Sequence, residues 1–173
     1  MAKRTRSATP KKGMHKQNSL SIEERFDIPF SMPHPGMVKL IRAFEKKFGK
    51  RVTHRIVREV SQELHLQMMN EAIAGKKINS FADLMASMQR WPAIFGEGID
   101  GRVTESSNAK SVIEVYQCWW AKTWQKMDAA DIGYLWNCCG DTDVEKLHSR
   151  LKFKRQATLM QGAKLCDCCF YWE

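Results

Sequence analysis

Six cysteines, Cys118, Cys138, Cys139, Cys166, Cys168 and Cys169, all lie in the last 56 residues of a 173-residue chain. Asp131, Asp141, Asp143 and Asp167 stand among them. A thiolate is the strongest ordinary side-chain nucleophile, and a carboxylate can carry a proton or hold a metal. Both groups concentrated at one end of the chain point to acid–base or nucleophilic chemistry there.

Two constellations carry the signal. In Cys138-Cys139-Gly140-Asp141-Thr142-Asp143 a thiol precedes a carboxylate by three residues at the end of an expected helix. The competing reading is a small buried apolar residue, the usual fate of a free cysteine. In Cys166-Asp167-Cys168-Cys169 an extended chain puts Cys166 and Cys168 on one face and Asp167 and Cys169 on the other. Structural zinc sites commonly pair their thiols as CxxC, whereas here the pairs are CC and CxCC. No metal ligand is therefore assigned and no cofactor is identified; one thiol activated by a neighbouring acid or base is at least as good a reading. His54 and His65 sit three turns apart on an expected helix and read as surface or core residues rather than ligands. His148 lies nearest the cysteines and is the candidate base by sequence order. The chain carries no HExxH, phosphate-binding loop, GxGxxG or GxSxG.

The elements that must position these residues can be read from periodicity. Met37, Leu40, Ile41, Phe44 and Phe48 recur at helical steps, with Gly49 as a stop. A second helix is expected over Val52 to Ala74, with Ile56, Val57, Val60, Leu64, Met68 and Ile73 as its apolar members. A third starts near Ser80 and is closed by Trp91-Pro92. Gly96, Gly98 and Gly101 then separate two regimes. Arg102 to Ser106 reads as extended, Ser107 to Lys110 as a turn, and Ser111 to Cys118 as a strand rich in β-branched residues. Trp119 to Met127 and Ala129 to Asn137 read as short helices. Leu151 to Leu159 alternates, and Leu165 to Trp172 reads as a final strand after a turn at Gln161-Gly162. The expected fold is α+β: N-terminal helices packed on a small, mostly antiparallel sheet from the C-terminal half. Residues 1–20 are expected to be a disordered basic arm and 21–173 a single domain. Its helical part spans about 36–92 and its β-rich Cys/Asp part about 101–173.

Composition bounds the rest. A hydrophobic share of 43% and a charged share of 27% are those of a globular protein. No apolar run is long enough to span a membrane, so no membrane partner is expected. The start is basic but lacks an apolar signal region, which makes a cytoplasmic location and reduced thiols the default. The net charge of +9 is concentrated: residues 1–17 hold six Lys/Arg and no acid. Nucleic acid is therefore expected as a partner only through the arm. Oligomeric state is not readable.

One ordered series of motifs is more specific. Cys118-Trp119-Trp120-Ala121-Lys122-Thr123-Trp124 is followed by Asp128 to Tyr134, then Cys138 and Asp141, then Arg155 to Gly162, and then Cys166-Asp167. This series, over roughly Val112 to Trp172, resembles the L-2-amino-thiazoline-4-carboxylic acid hydrolase family. It departs from the family pattern where Cys168 and Cys169 replace a common Phe and a following basic residue. The resemblance implies hydrolytic opening of a cyclic isothiourea by a thiolate or an activated water, with a small molecule as substrate. On that reading Cys138 or Cys166 is the reactive thiol, and Asp141 and Asp167 orient a proton or the amidinium. Arg155 is then a clamp for the substrate carboxylate, and Tyr134 joins it in binding. Were a metal involved, the same Cys and Asp residues would be its ligands. The alternative is a non-catalytic small-ligand or metal-binding sensor whose arm contacts nucleic acid or a partner.

Overall fold

The computed structural model describes residues 35–88 and 98–173. The basic arm, the lead-in over 21–34 and the Trp91-Pro92 helix stop lie outside the described residues.

Three helices come first: α1 Pro35–Phe48, α2 Lys50–Ile73 and α3 Phe81–Met88. Gly49 separates α1 from α2 with φ of +85°, a backbone state open mainly to glycine. Ser80 starts α3 by a reciprocal cap. Its Oγ accepts from the Asp83 N–H at 3.2 Å, and Asp83 Oδ2 accepts from the Ser80 N–H at 3.0 Å. The C-terminal half runs β1 Ile99–Ser106, β2 Lys110–Cys118, α4 Trp119–Lys126 and α5 Ala130–Gly133. A π-helical turn, Tyr134–Cys138, and a 3₁₀ stretch, Cys139–Lys146, lead into β3 Leu151–Lys154. A short 3₁₀ turn, Leu159–Gln161, precedes β4 Cys166–Trp172. The architecture is α+β, and every strand pair is antiparallel in the order β1-β2-β4-β3. No helix among the described residues is long and apolar enough to cross a membrane.

Alternation along the strands sorts the sheet into two faces. Leu151 and Phe153 of β3 and Phe170 and Trp172 of β4 share the inner face with Cys168, packed on Met69, Phe81, Leu84 and Val144. A second core gathers Ile41, Val57, Trp124, Ile132, Leu135 and Met160, with Cys118 and Cys138 at its margin.

Several local expectations are corrected. Ala129 to Asn137 is helical from Ala130, but only α5, to Gly133, is α-helical before the chain widens into the π-helical turn. The alternation over Leu151 to Leu159 yields a strand only as far as Lys154. Beyond it, Asp167 Oδ1 accepts from the Gln156 N–H at 3.0 Å and the Ala157 N–H at 2.7 Å, groups a longer strand would spend on its ladder. On α2 the inner stripe is Thr53, Val57 and Ser61, while Ile56 and Val60 face outward. Small inner residues let α2 approach the π-helical turn, where Ser61 Oγ donates to the Trp136 carbonyl at 2.6 Å.

Candidate active site at one end of the sheet

Antiparallel pairing brings three chain segments to one end of the sheet. β2 ends at Cys118, β4 begins at Cys166, and their register pairs Val115 with Cys166. β3 pairs Lys154 with Cys169, so the next residue, Arg155, leaves the sheet beside Cys168. The π-helical turn delivers Cys138 to the same place, and the 3₁₀ stretch delivers Asp141. A π-helical turn inserts one residue relative to an α-helix and so re-aims the side chains beyond it. Here the Cys139 N–H bonds the Tyr134 carbonyl. Trp124 Nε1 donates to Asn137 Oδ1 at 2.6 Å and holds the widened turn.

Arg155 ties the group together. One guanidinium nitrogen donates to the Asp141 carboxylate and another donates to the Cys138 carbonyl at 2.8 Å. The Arg155 side chain is 7% exposed, whereas that of Asp141 is one-third exposed. The acid is therefore the reachable end of the pair. The thiols of Cys118, Cys138, Cys166 and Cys168 all feel the charges of Asp141 or Arg155. Cys166 Sγ also accepts from the Leu159 N–H at 3.2 Å.

Burial dominates the electrostatics. It raises the thiols of Cys118 and Cys166, raises Cys138 further, and pushes Cys168 up to about 12. It also raises the Asp141 carboxyl, against the pull of Arg155 and His65. For Arg155 burial works against the charge, and Asp141 more than offsets it, so the guanidinium stays charged. These thiols are thus protonated at neutral pH. A nucleophile forms here only by passing a proton to a neighbouring base, and Asp141, with its raised pKa, is suited to receive it.

Other sequence-derived candidates are placed differently. Asp167 lies on the sheet face opposite Cys166 and holds the loop that carries Arg155. Tyr134 packs on the core around Trp124 and Ile132. Cys139 turns inward and donates to the Leu135 carbonyl at 2.6 Å. Cys169 is on the outer face between Val112 and Lys154. His148 stacks on Trp172 with centroids 4.3 Å apart, at the far end of β4 from Cys166. The histidine that approaches the site is His65, which reads as a surface or core residue in the sequence. Its ring lies under Gly140, where an added Cβ would come within 2.6 Å of Nδ1. Nδ1 bonds the Ser61 carbonyl at 2.8 Å, so the basic lone pair falls on Nε2. Gly140, one residue before Asp141, was the available sequence signal.

A groove of about 540 Å³ opens against this end of the sheet. Cys118 forms part of its wall, with Trp119, Lys122, Gln125, Leu159 and Gly162. Among the described residues, the one group of three His, Cys, Asp or Glu side chains close enough to share a metal is elsewhere, at Glu45, His54 and Asp131. Arg42 bonds both of those carboxylates, and Lys50 lies 2.7 Å from Asp131, so cations already fill that position.

A family model described as L-2-amino-thiazoline-4-carboxylic acid hydrolase matches residues 30–170, most of the chain and all six cysteines. No curated protein matches the chain.

Proposed function

We propose, because the chain belongs to the L-2-amino-thiazoline-4-carboxylic acid hydrolase family, that it is a hydrolase opening a cyclic isothiourea or a related small ring. The observation that carries this reading is convergence. Cys118, Cys138, Asp141, Arg155 and Cys166 are spread along the chain and meet at one end of the sheet, where Cys118, alone of the five, lines a groove large enough for a small molecule.

The electrophile in such a substrate is the carbon between nitrogen and sulfur. Cys138 is the nucleophile in this reading, because it lies against both members of the Asp141–Arg155 pair. Its proton passes to the Asp141 carboxylate as sulfur bonds to the ring carbon. The ring bond from that carbon to sulfur then breaks, and the proton goes to the departing sulfur. Water adds to the same carbon, the Cys138 sulfur leaves with a proton, and a carbamoyl-cysteine is released. The net change is the uptake of one water: the ring carbon–sulfur bond is exchanged for a carbonyl, the ring sulfur leaves as a thiol, and both nitrogens stay on the product. Arg155 holds Asp141 in place and stabilises its charged form.

A second route is favoured by the raised thiols: Asp141 deprotonates water directly and the thiols only shape the site. Cys138→Ser separates the two. The thiol route expects kcat/KM to fall by at least about 1,000-fold with an unchanged circular-dichroism spectrum. The water route expects activity within a few-fold of the original protein. A wild-type chain that binds cyclic isothioureas without converting them would leave a ligand-binding module in place of an enzyme.

A further inference from the structure

We propose that the groove beside Cys118 is a binding site for a small planar carboxylate, with Lys122 as the anion anchor and Trp119 as the platform for the ring. The proposal deepens the hydrolase reading and takes the ligand's class from it. Helix geometry supplies the first argument. Trp119, Lys122 and Gln125 succeed one another at three-residue steps on α4, so they share one face, and all three line the groove. Trp124, at 0% exposure, turns to the core instead, and Ala121, 3% exposed, lies between core and groove wall.

Hydrogen-bond accounting supplies the second. The Gln125 amide is committed to the Leu159 carbonyl at 2.8 Å, and the Tyr116 hydroxyl on the groove wall donates to Glu114. Arg155, the clamp that the family resemblance implies, is buried and bonds Asp141 and the Cys138 carbonyl. Lys122 is exposed, takes part in no ion pair among the described residues, and meets no carboxylate in the groove wall. A cation on a concave surface without an acid of its own favours an anion there. Trp119, 41% exposed at the N-terminal end of the same face, offers an aromatic surface for a flat ring. A ring held between them lies against Cys118, the thiol that joins the groove to the Asp141 group.

Aromatic probes that cannot be ring-opened test binding apart from turnover. Tryptophan fluorescence or calorimetry on the full chain would give Kd for 2-aminothiazole-4-carboxylate and for 2-aminothiazole, which lacks the anion. Lys122→Gln is expected to weaken the carboxylate probe by about 10- to 100-fold and to leave the neutral probe within twofold. Lys122→Arg should recover most of the loss, and Trp119→Ala should weaken both probes alike. Equal affinity of wild type and Lys122→Gln for the carboxylate, or no binding by the wild type, overturns the proposal. Binding that depends on Lys122 in a protein that opens no thiazoline ring overturns the hydrolase reading and leaves this site standing.

Discussion

Asp141→Asn is expected to lower kcat/KM for ring opening by about 100- to 10,000-fold, the usual contribution of a positioned proton acceptor. The amide oxygen can still accept from Arg155, so the fold and the guanidinium stay in place while the proton acceptor is lost. The pH profile carries a second signature. Burial raises the Asp141 carboxyl from its ordinary value. A base works in its deprotonated form, so wild-type kcat/KM should fall as pH drops through that raised value. Residual turnover of the Asn variant should lack this acid limb. Activity above a tenth of wild type, or an unchanged acid limb, would remove Asp141 from the mechanism.

The largest effect on stability is expected from Gly133→Ala. A Cβ there would lie 2.4 Å from Trp124 Cγ, 2.7 Å from Cδ1 and 2.8 Å from Met160 Sδ. Trp124 is fully buried and Met160 is 2% exposed, so neither has free space to enter. Gly133 has φ −58° and ψ −37°, helical values that alanine prefers, so the backbone gains from the change. Any destabilisation is therefore steric. Overpacking of this kind costs about 1–3 kcal/mol, and the two confined neighbours put this site at the upper end. At about 2–4 °C per kcal/mol for a chain of this size, thermal denaturation should show Tm lowered by roughly 5–10 °C. Since Gly133 immediately precedes the turn that carries Cys138, turnover should fall as well. An unchanged Tm would mean that Trp124 is not clamped as described.

Much of the scaffold was legible because its signals are local. Gly49 and the capped Ser80 mark helix boundaries where the structure has them. The β-branched run from Ser111 and the final strand read over Leu165 to Trp172 give the two central strands. The convergence of Cys138, Asp141 and Cys166 was legible only through the ordered motif series, since no local pattern encodes a sheet register. What escaped was decided by tertiary contacts. The π-helical turn depends on Trp124 reaching Asn137, a contact that no periodicity announces. Ile56 and Val60 look like core residues in a helical stripe, yet Thr53 and Ser61 take the inner positions because they allow close approach. His65 looks like any helical histidine until Gly140 passes over its ring. Lys122 acquires meaning only once Arg155 is seen to be buried and bonded to Asp141 and the Cys138 carbonyl.

The most direct test of a thiol and an acid acting as one unit is a double-mutant cycle on ring opening. It compares kcat/KM for wild type, Cys138→Ser, Asp141→Asn and the double variant with L-2-amino-thiazoline-4-carboxylate, tracking product by mass. Residues that serve one step are non-additive, so the double variant should be no slower than the slower single variant. Losses that multiply, or single variants that turn over like wild type, would contradict the account.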